Sequence, residues 1–534
     1  MASAFLNMFR LAKAGVVFAR FGVRFVPKGV PVPLALKAAR VMVAPIGWVT
    51  APFRWGQPKA QRMAAALTKL GPSYVKLGQF LATRADVIGP ELAGDLSHLQ
   101  DRLPPFSMAQ ARATVERELG GKLEDHYSAF GAAVAAASIA QVHKGCVSEG
   151  GVTRDVAVKV LRPNIEKRFR RDLESYAFAA KMVERWYPPA RRLKPTAVVD
   201  NLKRTTDLEM DLRLEAAAIS EMADNIAADP AGFRVPGIDW RRTRKRVLTI
   251  EWIDGIKIDD VAALRARGFD TKALGLTVLQ SFLRHAMRDG FFHADMHPGN
   301  LMVDAGGNVV AVDFGIMGRL GMRERRFLAE ILHGLITRDY RRAAEVHFWA
   351  GYVPPHHDVA VFAQAMRAIG EPIHGRTAAE ISMADLLGQL FAYTEVFDME
   401  TRPELILLQK SMVIVEGVAR SLDPELNIWV AAEPVAKEWM ERNLGVMGRL
   451  REAGEGAGEM AKSLGDLPRL LGLAERAAVA LGEMAQSGVR LDEATVTQLA
   501  AAQGARGAVW GRVALWVGAL SLAAIAAGVW GVGR

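Results

Sequence analysis

His293-Ala294-Asp295-Met296-His297-Pro298-Gly299-Asn300, with Asp313-Phe314-Gly315 downstream of it, is the stretch on which the reading of this 534-residue chain turns. Moving a phosphoryl group takes a carboxylate near the attacking hydroxyl or water. It also takes an amide oxygen and a second carboxylate to hold Mg²⁺ on the phosphates. Asp295, Asn300 and Asp313 supply those groups in that order. Two short strands, around 300–303 and 308–312 and joined at Gly306-Gly307, would fold Asp313 back beside the other two. A lone D-F-G would be an ordinary acidic turn; three elements in sequence set this one apart.

The spacing of Asp295, Asn300 and Asp313 is that of the protein-kinase catalytic loop and D-F-G motif. Upstream, Val156-Ala157-Val158-Lys159 matches the kinase strand whose lysine contacts the α/β phosphates. Its partner should be a helical acid, and Leu208 to Ala216 offers three. If 196–228 is one helix, Asp211 and Glu215 share a face and Glu209 is rotated away, which favours Glu215. Two kinase features are missing. In place of a G-x-G-x-x-G loop stands Ala135-Ala136-Ala137-Ser138-Ile139-Ala140-Gln141-Val142-His143, whose methyl groups restrict the backbone. No A-P-E follows Asp313, and Met322-Arg323-Glu324-Arg325-Arg326 leads directly into an expected helix.

Composition bounds the rest. With 50% hydrophobic and 24% charged residues the chain can fill a core. One cysteine, Cys146, excludes a disulfide framework and any Cys-rich zinc module; it is expected at a strand edge, as packing. The net charge of +10 is concentrated at the start, where residues 1–70 hold eleven Lys/Arg and no acid. These cations are interleaved with Phe5, Phe9, Phe18, Phe21, Phe25, Trp48 and Trp55. That mix suits a helix on an anionic membrane surface better than a nucleic-acid-reading face. An acid-free, Arg-bearing start also resembles a mitochondrial transit peptide. Val513 to Val532 is a 20-residue run without a charge, long enough to cross a bilayer core as a helix. Trp510, Trp516 and Trp530 lie near its ends. A buried core helix is the alternative. Arg506 and Arg512 before it, against Arg534 after it, place the main body on the cytoplasmic side. His356-His357 reads as a polar loop, for want of a third ligand nearby.

Ser73-Tyr74-Val75-Lys76-Leu77-Gly78-Gln79 resembles the K-x-G-Q signature of the UbiB family, the atypical kinase-like (ADCK-type) proteins of ubiquinone biosynthesis. The alanine-rich A-A-A-S loop, the E-x-D at Glu209 and Asp211, H-A-D-x-H-P-G-N and D-F-G-I-M-G resemble the same family, over about residues 60–360. Met296 departs from it, standing where the family often has Pro.

The resemblance implies an α+β, two-lobed protein-kinase-like fold with an added N-terminal helical K-x-G-Q domain, a helical C-terminal extension and one C-terminal transmembrane helix. The expected organisation is 1–70 a basic membrane-surface segment, 71–130 the K-x-G-Q domain, 131–255 the N-lobe and 256–450 the C-lobe. A helical linker region at 451–512 and the span at 513–532 complete it. The resemblance further implies ATP and Mg²⁺ as cofactors. Lys159 would contact the phosphates with Glu215 paired to it, Asp295 would be the catalytic acid, and Asn300 and Asp313 would hold the metal. Ala135, Ala136, Ala137 and Ser138 would line the phosphates. Thr249 to Ile253 would be the hinge, with Glu251 and Ile253 against the adenine. Lys76, Gln79, Glu209 and Asp211 would form a family-specific set near the nucleotide.

The activity implied is ATP hydrolysis, or phosphorylation of a small or lipid-like acceptor, at the bacterial inner membrane. Expected partners are anionic lipids and ubiquinone precursors or biosynthetic proteins, with no nucleic acid. A nucleotide-binding scaffold is the alternative from another class, opposed by the presence together of Lys159, Asp295, Asn300 and Asp313. A conventional protein kinase is opposed by the missing glycine loop and A-P-E.

Overall fold

The computed structural model describes residues 2–23, 58–82, 90–97, 103–186, 194–227, 231–374 and 403–444, with isolated positions between them. The chain divides into Met1–Arg442 and Asn443–Arg534. Of the second unit only Asn443 and Leu444 are described; residues 445–534, with the expected span at 513–532, lie outside the described residues. Among the described residues no helix is long and apolar enough to cross a membrane.

Among the described residues five helices come first: α1 (Ala2–Phe21), α2 (Lys59–Leu70), α3 (Pro72–Ala82), α4 (Pro90–Ser97) and α5 (Met108–Leu119). Ser107 caps α5 by accepting from the Gln110 N–H, and Gly120 and Gly121, both at positive φ, end it. A four-stranded antiparallel sheet follows, built from β1 (Ala129–Ala136), β2 (Ala140–Glu149), β3 (Val152–Leu161) and, later in the chain, β5 (Val247–Glu251), in the order β1-β2-β3-β5. Cys146 therefore sits in an interior strand, β2, and not at an edge. Between β3 and β5 run α6 (Ile165–Trp186), α7 (Pro195–Glu209), α8 (Leu212–Ala227) and the short β4 (Phe233–Arg234).

The basic start of the chain is only partly free to meet a membrane. One side of α1 is held on α6: Asn7 Oδ1 accepts from the buried Ser175 hydroxyl at 3.1 Å, and Arg10 donates to the Arg171 carbonyl at 3.1 Å. Leu6, Met8, Phe9 and Val16 of α1 are exposed. Residues 24–57 lie outside the described residues.

After β5 come β6 (Gly255–Lys257), α9 (Val261–Ala266) and α10 (Thr271–Arg284), the last two capped by the carboxylates of Asp260 and Asp270. The last turn of α10 widens into a π turn at His285–Asp289, closed by Gly290 at φ 67°. Short strands β7 (Phe291–His293), β8 (Leu301–Asp304), β9 (Val309–Ala311) and β10 (Met317–Arg319) then alternate with the motif loops. β8 and β9 form a hairpin, and β7 pairs with β10 so that His293 faces Met317 and Phe292 faces Gly318. The remaining described residues are mostly helical: α11 (Met322–Ile336), α12 (Tyr340–Trp349), α13 (Val359–His374), α14 (Pro403–Leu422) and α15 (Ile428–Leu444).

The β7–β10 pair depends on one small residue. Phe292 is fully buried against Phe282, with ring centroids 5.7 Å apart, and a Cβ on Gly318 would lie 2.1 Å from its ring. Gly318→Ala should lower stability by about 1–3 kcal/mol through overpacking. Gly417→Ala on the open face of α14, where nothing lies within 4 Å of the added methyl, should raise it by up to about 1 kcal/mol. Thermal unfolding of the two variants checks both signs.

Candidate nucleotide site

β3 lies between β2 and β5, with Lys159 opposite Val142 on one side and Leu248 on the other. Val156, Val158 and Val160 alternate into the core and are fully buried, so the Lys159 side chain leaves the sheet from the opposite face. There its Nζ donates to Glu215 of α8, 2.7 Å from Oε1 and 3.0 Å from Oε2, and to Asp313 Oδ1 at 3.1 Å. Glu215 Oε1 also accepts from the Phe314 backbone N–H at 3.4 Å. The sheet, α8 and the D-F-G segment thus meet at one ammonium group.

Glu215 lies in the first turn of α8, since 196–228 is not the single helix expected. α7 stops at Glu209, and α8 starts at Leu212, whose N–H donates to the Lys245 carbonyl at 2.9 Å. Asp211 falls in the break. Its short carboxylate accepts from the Arg213 N–H at 3.2 Å and pairs with the Arg213 guanidinium at 2.6 Å. It therefore does not share a helix face with Glu215. Glu209, rotated away from the Glu215 face, pairs instead with Lys76 of α3 at 2.5 Å, and only 12% and 6% of the two side chains are exposed. Gln79 lies one turn further along α3, half-buried.

The loops carrying Asp295 and Asp313 are held side by side by the strand pairs flanking them. The Ala294 N–H donates to the Ile316 carbonyl at 3.0 Å and the Val312 N–H to the Asn300 carbonyl at 3.0 Å. Buried His293 adds a third tie. Its Nδ1 accepts from the Asp295 N–H at 3.1 Å, so Nε2 carries the proton and donates to the Asp313 carbonyl. Burial lowers the His293 pKa and keeps this neutral form in place. Asn300 Nδ2 donates to the Asp295 carbonyl at 3.0 Å and to its carboxylate at 3.3 Å. Met296 is fully buried.

At the alanine-rich loop Ala135 is exposed, Ala136 and Ala137 are half-buried and Ser138 is fully buried. The turn is closed by the Ala137 N–H donating to the Ala140 carbonyl at 2.8 Å. Arg162, which from sequence only marks the end of β3, clamps this turn. Its Nε and Nη2 donate to the Ala137 carbonyl at 3.0 and 2.8 Å, and Nη2 reaches the Pro104 carbonyl at 2.9 Å. Gln141 bonds both backbone groups of Phe106, so the segment before α5 is sewn to the loop. A guanidinium one residue past the lysine strand was the available signal. At the expected hinge, the Glu251 side chain pairs with Arg234 at 2.5 Å and accepts from the Gly237 N–H, while Ile253 is buried.

Charge in the cluster is unevenly shared. Partial desolvation works against the Asp313 charge, yet the Lys159 ammonium outweighs this and holds its pKa at about 2. Burial raises Glu215 to about 7; the Lys159 ammonium offsets this only in part, and Asp313 adds a smaller repulsion. Lys159 is also disfavoured by burial, but the two carboxylates keep its pKa above the usual value. Two carboxylates, a carboxamide and one ammonium form a hard-oxygen donor set with a single cationic anchor, which fits Mg²⁺ on a polyphosphate.

The helical part supports the loop from behind: the buried Ser411 hydroxyl of α14 donates to the Ala294 carbonyl at 3.0 Å. α14 packs closely on α10, where a Cβ on Gly275 would meet the Ala419 carbonyl at 2.9 Å.

Residues 98–347 match the model of the ABC1 atypical kinase-like domain and 366–427 that of the UbiB helical domain. The first match begins downstream of Lys76 and Gln79. A protein of Marinobacter nauticus named probable protein kinase UbiB is 39% identical over 452 residues, covering 83% of this chain and 80% of its own. One of the same name from Xanthomonas campestris pv. campestris is 37% identical over 477 residues, covering 87% and 84%. The solved structure of the Rv3197–erythromycin complex from Mycobacterium tuberculosis aligns at 23% identity with a TM-score of 0.46, over 73% of this chain and 97% of that one. With relatives of that identity over most of both lengths, and with both domain models matched in order, the chain belongs to the UbiB family of atypical kinase-like proteins.

Proposed function

We propose that this chain is a membrane-anchored, ATP- and Mg²⁺-dependent enzyme that hydrolyses ATP, or phosphorylates a small or lipid-like acceptor, in support of ubiquinone biosynthesis. The observation that carries the reading is the meeting of Lys159, Glu215 and Asp313 beside the Asp295–Asn300 pair. MgATP bound here would supply the phosphoryl group, with its cation neutralising charge on the phosphate oxygens. Lys159 binds phosphate oxygens and Glu215 fixes its direction. Asp313 and the Asn300 carboxamide oxygen hold the metal. Asp295 orients the attacking hydroxyl or water and takes its proton. Ala135, Ala136, Ala137 and Ser138 cover the phosphates from a turn that Arg162 stiffens, and the backbone at Glu251 to Ile253 faces the adenine.

Two features support an acceptor other than a generic peptide. The buried Lys76–Glu209 pair ties α3 to the end of α7, which supports α3 as a K-x-G-Q element covering the site, and the alanine turn lacks the freedom of a glycine loop. The exposed apolar residues of α1, the basic content of 1–70 and the uncharged run at 513–532 support attachment to an anionic membrane with the main body cytoplasmic. ATPase measurement on the purified chain, with and without anionic liposomes and quinone-precursor mimics, tests the whole reading. Turnover of ATP without phosphorylation of generic peptides is expected; robust peptide phosphorylation would sink it.

Asp313→Asn should abolish the Mg²⁺-dependent part of the thermal shift given by ATP, because it removes a charge from the metal's ligands. A shift equal to that of the parent chain would take Asp313 out of the ligand set.

The folded pKa of Glu215, about 7, lies above its ordinary value, so its contribution to stability is present below the unfolded pKa and is lost as pH rises through about 7. Glu215→Gln carries no such loss. Its melting temperature relative to the parent should rise between about pH 5 and about pH 8, while its ATP turnover falls. A pH-independent difference would mean that Glu215 does not titrate in this window.

Lys76→Ala strands a buried carboxylate and should cost about 3–5 kcal/mol while altering ATP turnover. Lys203→Ala, at an exposed position of α7, should do neither. In Lys76→Met/Glu209→Met, stability should recover while turnover stays altered. Parent-like turnover there would reduce the pair to a structural contact.

A further inference from the structure

The turn between α12 and α13 carries His356 and His357, and the structure supplies the third group that the sequence did not put beside them. Asp398, 41 residues further along the chain from His357, brings Oδ2 to 3.3 Å from His357 Nε2 and 3.6 Å from His356 Nε2. The potential ligand atoms of the three residues all lie within 4.8 Å of one another. We propose that His356, His357 and Asp398 form a binding site for a borderline divalent metal of the Zn²⁺ class, separate from the nucleotide site.

Geometry argues for this over a simple hydrogen-bonded cluster. Two imidazole nitrogens converge on one carboxylate oxygen, and the 3.6 Å contact is beyond hydrogen-bond reach. Zinc bonds to imidazole nitrogen and carboxylate oxygen of about 2.0–2.2 Å give tetrahedral edges of about 3.3–3.6 Å. Both separations are of that size, so small side-chain adjustments would seat an ion. The backbone on either side is anchored: Phe397 is buried, its ring 4.9 Å from that of Phe362 and 5.4 Å from that of His357. The imidazoles of His356 and His357 lie 4.1 Å apart. His356 and Asp398 are exposed, at 64% and 68% of their side chains, so an ion can enter and water can complete its coordination.

Two imidazoles and one carboxylate select Zn²⁺ and its transition-metal neighbours over Mg²⁺, which prefers all-oxygen sites. Bound there, the metal would cross-link the turn after α12 to the segment at Phe397 and so brace the helical part of the fold. The proposal does not rest on the reading of the nucleotide site.

The test is isothermal titration of the metal-free full chain with Zn²⁺, without nucleotide and in excess Mg²⁺ to occupy the oxygen-rich site. Co²⁺ absorption spectra of the same samples report nitrogen and oxygen ligation. One Zn²⁺ per chain is expected. Asp398→Asn, at an exposed position, and His357→Ala should each weaken binding at least tenfold and lose the Co²⁺ bands, while Asp313→Asn should retain both. Asp398→Asn keeps the test decisive if His357→Ala, half-buried on Phe397, folds poorly. Binding unchanged in Asp398→Asn, or no stoichiometric Zn²⁺ binding by the parent chain, would overturn the proposal.

Discussion

The contact on which the rest of the site depends is the one between Lys159 and Glu215. It joins an interior strand to a helix through a lysine nitrogen and two carboxylate oxygens, largely out of water, where an unpaired charge is costly. Because Asp313 approaches the same nitrogen and the Phe314 N–H points at the same carboxylate, the pair also sets where the D-F-G segment sits. Strand, helix and D-F-G segment are thereby positioned relative to one another by a handful of polar atoms.

That arrangement extends outward through the break between α7 and α8. Glu209 closes one helix and binds Lys76, and Glu215 lies in the first turn of the next and binds Lys159. The two ion pairs thus place the anchor of α3 and the partner of Lys159 on either side of one break. Arg162 makes a comparable link on the other side, from the end of β3 to the alanine turn and to the segment before α5. α3 and the alanine turn are thus tied to the elements that carry Glu215 and Lys159.

The helical part of the chain acts on the same site from below. Ser411 holds the Ala294 carbonyl, and β10 pairs with β7 only because Gly318 makes room for Phe292. His293, neutral and doubly bonded, ties the two motif loops at their backbones. Each is a short-range constraint on a loop that has little regular structure of its own, which is how a catalytic loop can be rigid without being a helix or strand.

Much was legible from sequence alone. The order and spacing of Lys159, Asp295, Asn300 and Asp313, the valine strand, the short strands around the D-F-G and the helical remainder all follow from local pattern, since strand alternation and motif chemistry are written within a few residues. The alanine loop and K-x-G-Q pointed to the UbiB family for the same reason. Other features were decided only by tertiary structure. The 196–228 stretch reads as one helix because its apolar period is nearly continuous, yet the backbone bond from Leu212 to Lys245 and the local bonding of Asp211 interrupt it. The count of helix faces favoured Glu215 for Lys159, as found, but it also put Asp211 on that face, where the break leaves Asp211 bonded to Arg213 and Glu209 paired with Lys76. Asp398 joined His356 and His357 for an equivalent reason. Residues so far apart in the chain meet through the packing of Phe397 on Phe362, and a contact made by packing leaves no periodic trace in the sequence.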